Sequence, residues 1–277
     1  MLVQATRLIR KMRGGAQAHL LECDDGHFYV VKFRNNPQHR RILINEWIAS
    51  VFLNYLQIST PPAAIVSLSR TFLEANPEIH IQLGSRHRAV EPGWHFGSRY
   101  PGDPGKIMVY DFLPDTLLDK VVNAGEFPGV LAFDKWMSNA DARQSIFFRA
   151  RLHQWGPAAS ESGPRAGFVA NMMDHGYVFD GPHWRFSDSA LQGMYFRPSV
   201  YQSVRGWQDF QPWLDRIVYF PDEIVDAAQK QIPPEWLAED TEALQAILER
   251  LMSRRSRVPD LISDSRRGRF NPFPEWK

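Results

Sequence analysis

Four side chains in this sequence have the types and spacing that Mg-nucleotide phosphoryl transfer needs. Asp141, in Asn139-Ala140-Asp141, and Asp174, in Met172-Met173-Asp174-His175-Gly176, stand 33 residues apart, with β-rich runs at 145–152 and 167–173 between them. A hairpin returns the chain to its start, so the two carboxylates can face one site. Far upstream, Lys32 lies in a strand and Glu46 on a helix. Such transfer requires an anchored divalent metal, an acceptor hydroxyl that shares its proton, and a fixed positive charge on the phosphates. Asp141 suits the hydroxyl, and Asp174 suits Mg²⁺ bridging the phosphates. Plainer roles compete with these. Asp141 could cap a turn and Asp174 could end a strand, both common tasks for Asp. Asp134, in Phe133-Asp134-Lys135-Trp136, reads as a helix residue with a structural task.

Lys32 sits within Tyr29-Val30-Val31-Lys32-Phe33. Alternation puts Val31 and Phe33 on one face and Lys32 with Val30 on the other. A lone strand lysine more often snorkels to water, but Glu46 shifts the balance. On a helix the stripe of Ile44, Trp47, Ile48, Val51, Phe52 and Tyr55 faces one way, and Glu46 falls about 190° from its centre. Its neighbours there are Ile42, Ala49 and Leu53, so Glu46 lies in a second apolar face. A buried carboxylate needs a cation. Lys32 is one partner in reach; Arg40 or Arg41 is the alternative.

The elements that must position these groups follow from the pattern. Residues 5–33 read as three short strands, with a glycine turn at 13–17 and a hairpin turn at Asp24-Asp25-Gly26-His27. Gly14 and Gly15 could let backbone N–H groups approach phosphates without side-chain clash. A helix spans about 37–57 and Thr60-Pro61-Pro62 stops it. Residues 64–73 read as strand and turn. The Gly/Pro-rich stretch 91–105 reads as a crossing between two lobes. Residues 109–122 and 129–138 read as helical, leading into the Asp141 loop. The hairpin flanks a small-residue loop at 156–163, an irregular stretch covers 177–198, and the remainder is mainly helical. Its clearest helix is N-capped by Asp240, with Leu244, Ile247, Leu248 and Leu251 on one face. The predicted architecture is α+β and two-lobed: a small β-rich lobe with one long helix over 1–100, then a larger α-rich lobe over 101–277.

Composition excludes several classes. The 277 residues carry a formal net charge of +1, so no global field draws nucleic acid or membrane. One cysteine, Cys23, precludes an internal disulfide, and no apolar run approaches the ~20 residues of a membrane span. The N-terminus lacks the apolar stretch of a signal peptide, which makes the cytoplasm the expected location. The basic clusters at 254–257 and 266–269 read as a solvated helix end and tail, with Asp260 and Asp264 beside them. The aromatic tail, Phe270 to Trp276, is expected to pack back on the larger lobe or to dock a partner.

Together these segments resemble the HipA-like kinase family, in its compact branch without the extra N-terminal domain of the HipA toxins. The matching stretches are the Gly14-Gly15 turn, YVVKF with Lys32, NEW with Glu46, GWHFGSRYPG at 93–102, FDKWMSNADARQ at 133–144, MDHGYVF at 173–179, IPPEWL, and LMSRRSRVP. The resemblance implies a protein-kinase-like fold and ATP with Mg²⁺. It pairs Lys32 with Glu46, makes Asp141 the catalytic aspartate and makes Asp174 the metal aspartate. It also implies backbone contacts to adenine near His95 to Arg99, with Phe96 and Gly97 in the ATP site. The family's catalytic loop resembles N-x-D-R-H-x-x-N. Here Ala142 follows Asp141, and Ile146 stands where the second metal ligand is expected. Gln144 or Ser145 could substitute through a neutral oxygen. Three functions stay open: a Ser/Thr protein kinase that can phosphorylate itself, a pseudokinase serving as a regulatory module, and a kinase of a small-molecule hydroxyl. The family includes toxins; nothing in this chain identifies an antitoxin-like partner.

Overall fold

The computed structural model describes residues 1–151 and 166–277; the loop expected at 156–163 lies outside them. In chain order the elements are β1 (Leu2–Lys11), β2 (His19–Cys23), β3 (Phe28–Lys32), α1 (Arg41–Leu56), β4 (Ala63–Leu68), α2 (Arg70–Ala75), β5 (His80–Leu83), β6 (Arg86–Ala89) and β7 (Gly93–Arg99). The second half contains β8 (Val109–Tyr110), α3 (Asp115–Leu118), α4 (Phe127–Met137), β9 (Gln144–Arg151), β10 (Ala166–Met173), α5 (Trp213–Val218), α6 (Asp222–Lys230), α7 (Pro234–Leu237), α8 (Thr241–Ser253) and α9 (Val258–Arg267). The content is α+β, with the strands concentrated early and the helices late.

β1, β2, β3, β7 and β4 close into a barrel in that order. Val3, Leu21, Tyr29, Val31, Phe33 and Val66 fill its interior. Strand alternation therefore turns Lys32 outward, toward the rest of the molecule. β5 and β6 form a separate polar hairpin that Gln17 fastens to the β1–β2 turn, through Gln17 Nε2 to the Gln82 carbonyl (2.7 Å).

Helix α1 starts later than its apolar pattern suggests. Asn36 accepts from the Gln38 amide at 2.8 Å, and His39 sits at φ 98°, so 36–40 form a turn. The helix is buried on nearly every side, as its two apolar faces require. Its side chains join the larger core, with Phe52 stacked on Trp136 at 5.6 Å and packed against Phe220.

Two expectations fail here, the first in part. The stretch 91–105 is a crossing only in its second half: 93–99 is a barrel strand paired on both edges, with β3 and with β4. Its glycines are there for close packing. A Cβ on Gly97 would meet Val66 Cγ2 at 2.5 Å, and Gly93 adopts φ 132°. The chain passes to the second sheet only after Tyr100. The predicted helix over 109–122 is instead the short strand β8 and the four-residue α3. Val109 and Tyr110 pair with Phe148 and Phe147, so sheet pairing overrides helical spacing.

The basic cluster after α8 is not simply a solvated helix end. Arg254 is buried, donates to Asp188 at 2.5 Å and lies over the Phe186 ring. The aromatic tail packs back, with Phe273 buried among Tyr201, Phe210 and Trp276.

Candidate active site

β9 and β10 pair in antiparallel register from Gln144 opposite Met173 to Arg151 opposite Ala166. Asp141 precedes the first of these strands and Asp174 follows the second, so both carboxylates stand at the same end of the hairpin. Asp174 is itself in the left-handed region, at φ 59°. Gly176 serves packing. Its missing Cβ makes room for α1, because a Cβ there would lie 2.5 Å from Ile42 Cγ2.

Lys32 reaches across from the barrel. Its Nζ donates to Glu46 Oε1 on α1 and to Asp174 Oδ1 at 2.6 Å. Arg40 and Arg41, the other cations considered for Glu46, pair with Asp240 instead. Burial alone would lower the Lys32 pKa, but Glu46 and Asp174 outweigh it and raise it. The Lys32 ammonium holds the Asp174 carboxyl below the usual range against the opposing effect of burial. Burial pushes Glu46 upward despite the lysine beside it.

Three contacts fix α1 so that this cluster forms. Asn45 donates from Nδ2 to the Gly176 carbonyl (2.7 Å) and accepts from Trp184 Nε1 (2.9 Å), tying the helix to the segment after Asp174. Asp240 takes Arg41 at the helix start, from Nε at 3.0 Å. Asp240 was expected to cap α8 with its side chain; its carboxylate makes no cap bond and is spent on these arginines. The IPPEWL segment grips the barrel. Glu235 accepts from Arg34 Nη1 (2.6 Å) and from the Trp94 amide (2.5 Å), while Trp236 donates to the Trp94 carbonyl and meets Trp47 of α1 edge to face.

The Asp141 loop rests on a buried ion pair that local sequence patterns did not reveal. Asp134, fully buried in α4, accepts from Arg143 Nε at 2.7 Å and Nη2, and from Asn139 Nδ2 at 3.0 Å. Arg143 Nη1 then donates to the Met173 carbonyl (3.0 Å) and to His175 Nδ1 (2.9 Å). One guanidinium thus braces the residues on either side of Asp174. His175 accepts from Arg143 at Nδ1, which makes it neutral, and donates from Nε2 to the Met172 carbonyl at 3.1 Å; burial drives its pKa well below the ordinary histidine value. The available signal was the arginine two positions after Asp141. Its partner lies nine residues upstream on a helix, out of reach of any local pattern.

Asp141 is half-buried; its Oδ1 accepts from the Ala142 amide at 2.8 Å, and its Oδ2 lies 3.5 Å from Gln144 Nε2. Only two residues separate Asp141 from β9. Gln144, opposite Met173 and exposed, is therefore beside Asp174, whereas Ile146 is two residues further along the strand. Ser145 is on the opposite strand face, buried with the larger core, and is turned away from the site. Two cavities open onto Asp141. One of about 330 Å³ is lined by Asp180, Ser187, Leu191, Gln192 and Phe196. The other, about 400 Å³, is lined by Gln38, Tyr177, Asp180 and His183.

The glycine turn lies beside Gln38, one of the residues lining this second cavity. Gly14 sits at φ 121°, a conformation that requires glycine. A Cβ on Gly15 would lie 3.0 Å from Gln38 Nε2, and Gln38 contacts the Tyr177 hydroxyl. Phe96 and Gly97 do not join the group. Phe96 is buried in the larger core, Gly97 faces Val66 and Tyr29 inside the barrel, and β3 and β4 occupy both strand edges there. Backbone contact to adenine at these two residues is thus precluded.

The donor set suits a metal that arrives with phosphates. No group of three or more His, Cys, Asp or Glu that could cage a metal exists among the described residues. Mg²⁺ is commonly held by one or two carboxylates plus phosphate and water, and Asp174 with the Gln144 amide oxygen offers that kind of partial shell.

Comparison with known proteins bears on the fold and the family. No curated protein sequence matches the chain. Among solved structures, the Helicobacter pylori proinflammatory kinase CtkA aligns with a TM-score of 0.53 at 11% identity, covering 94% of this chain and 95% of that one. Hydra Fam20 aligns at 0.51 and 12% identity, over 95% and 86%. The Golgi casein kinase aligns at 0.50 and 12% identity, over 94% and 72%. These likenesses establish a two-lobed kinase-like fold. The family model described as HipA-like kinase matches residues 5–150, more than half of the sequence, and the chain belongs to the HipA-like kinase family.

Proposed function

We propose that this kinase transfers the γ-phosphoryl group of Mg-ATP to a Ser or Thr hydroxyl of a protein. The observation that carries this reading is Lys32, which joins Glu46 of α1 to Asp174 at the end of β10. A lysine so held stays charged and fixed, ready to share its protons with phosphate oxygens. The Gly14-Gly15 turn supports the phosphates from above. Asp174 and Gln144 would hold the metal, which supplies neutralisation of charge developing on the phosphates. Asp141, at the mouth of both cavities, accepts a hydrogen bond from the acceptor hydroxyl and orients it for in-line attack.

The 330 Å³ cavity suits one inserted side chain. Its floor is small and polar, and its rim carries Leu191 and the exposed Phe196. The surrounding segment is already ordered by Lys135 donating to the Ser189 and Ala190 carbonyls and by Arg254 on Asp188. A cytoplasmic location accords with the single buried thiol, Cys23, and with the lack of any membrane-crossing helix among the described residues.

The acceptor is tested with γ-labelled ATP, Mg²⁺ and a cell lysate, followed by phosphoamino-acid analysis of the labelled protein. Phosphoserine or phosphothreonine that disappears with Lys32→Met is the expected result. Label recovered only in small molecules would overturn the protein-acceptor reading and leave the transferase.

A further inference from the structure

The β9–β10 hairpin has two unlike faces. Phe147, Ala170 and Met172 enter the larger core from one of them. The other carries Gln144, Ile146 and Phe148 on β9 beside Val169, Asn171 and Met173 on β10. That second face runs from the β8 end, next to the passage between the lobes, to Asp174 at the phosphate end. Above it, Lys32 and Val30 share the outward face of β3 with Phe96 and Ser98 of β7 in register. The Lys32–Asp174 contact joins the two surfaces at the phosphate end.

Asn171 is the anomaly on this face. Four asparagines are buried among the described residues: Asn36, Asn45, Asn139 and Asn171. The first three spend their amides on the Phe33 carbonyl, the Gly176 carbonyl and the Asp134 carboxylate. Asn171 is only 5% exposed, yet its side chain makes no hydrogen bond with any described residue. Its amide oxygen and nitrogen are not among the polar side-chain atoms sealed from solvent without a partner, so the amide stays open to a group brought from outside. Its cross-strand neighbour is Ile146, an apolar residue suited to the flat face of a base. At about 3.3 Å per residue, Asn171 lies roughly 10 Å up the strand from Asp174. This is the direction and scale by which a nucleoside extends from its phosphates.

We propose that the Asn171 amide reads the base of the bound nucleotide, accepting at Oδ1 from the adenine N6 amino group and donating from Nδ2 to N7. The inference rests on the nucleotide site proposed above. Adenine presents one donor and one acceptor on this edge, which an asparagine amide matches in a bidentate pair; guanine presents two acceptors there. Asn171 therefore selects ATP over GTP.

The test titrates the full chain, in Mg²⁺, with the β,γ-imido analogues of ATP and GTP, for wild type and Asn171→Leu. Wild type should favour the adenine analogue by about 10- to 100-fold, the discrimination typical of one bidentate pair. Asn171→Leu should bring the two affinities near parity by weakening the adenine analogue alone. A melting temperature close to that of wild type establishes that the variant is folded. Should leucine prove too bulky to fold, Asn171→Ala makes the same comparison. A folded variant that keeps the wild-type preference, or weakens both analogues equally, would overturn the inference. Wild type binding neither analogue would instead show that the nucleotide site itself is misassigned, and the inference would fall with it.

Discussion

Arg143→Ala should destabilise the protein by about 3–5 kcal/mol, the usual cost of stranding one partner of a buried ion pair. Asp134 has no exposed side-chain surface, and its remaining donor would be Asn139. The same change releases the Met173 carbonyl and the His175 ring, so the peptide that places Asp174 loses its brace. Phosphoryl transfer should fall further than stability alone explains, because fully folded Arg143→Ala still misplaces Asp174, the proposed metal ligand. Urea unfolding reads the first effect, and kcat measured well below the melting temperature reads the second. Replacing both partners by apolar residues, as Asp134→Leu with Arg143→Met, should recover much of the stability but little of the activity. Recovery of both would reduce Arg143 to a purely structural residue. Arg143→Lys should not rescue, since an ammonium cannot reproduce the forked contacts.

Acid should unfold this protein early. Three histidines are buried and neutral: His19, with its pKa lowered to about 4, His95, lowered to about 3, and His175, lowered well below the ordinary value. Burial is the leading cause in each case. Hydrogen bonds hold the neutral forms: His95 accepts at Nδ1 from the Arg34 amide, and His175 accepts from Arg143. His19 Nδ1 meets the Gln17 carbonyl, and its Nε2 is buried without a partner among the described residues. In the unfolded chain each ring takes up a proton near 6.5, but in the folded chain it does so only at much lower pH. The unfolded state therefore binds more protons below 6.5, and stability falls as pH drops through that value. At pH 5 His19 and His95 each contribute a loss of about 2 kcal/mol, together about 4 kcal/mol, and His175 acts in the same direction. That is a large part of a typical domain's margin. Melting temperatures at pH 7.5 and 5.0 measure it, and His95→Gln should flatten the decline by about 2 kcal/mol. Equal melting temperatures at the two pH values would contradict the neutral, buried assignment.

Much of the site was legible because burial and charge leave local marks. Lys32 breaks an apolar strand, and Glu46 breaks the second apolar face of a helix, so each needed a partner across a gap. The hairpin between Asp141 and Asp174 was visible from its two β-rich arms. Less legible were residues whose role depends on a distant element. Arg143 meets Asp134 only once α4 and β9 are in place. Asp240 satisfies a helix N-cap rule, yet two arginines at the start of α1, some 200 residues away in sequence, take its carboxylate. Gly97 and Gly176 look like flexible links, whereas neighbouring side chains leave no room for a Cβ at either. Residues 109–122 failed for a related reason. Two residues of sheet pairing with β9 outweighed a spacing that alone suits a helix.

The site rests on one claim, that Lys32, Asp174 and Asp141 act together on the γ-phosphate of ATP. It is tested most directly by single-turnover release of label from γ-labelled ATP, in Mg²⁺, comparing wild type with Asp141→Ala and Asp174→Asn. Wild type should move the label from ATP to an acceptor, with the protein itself or lysate proteins offered as acceptors. Each variant should slow that transfer by at least about 100-fold while keeping its fold. Transfer by folded Asp141→Ala or Asp174→Asn at the wild-type rate would contradict the account.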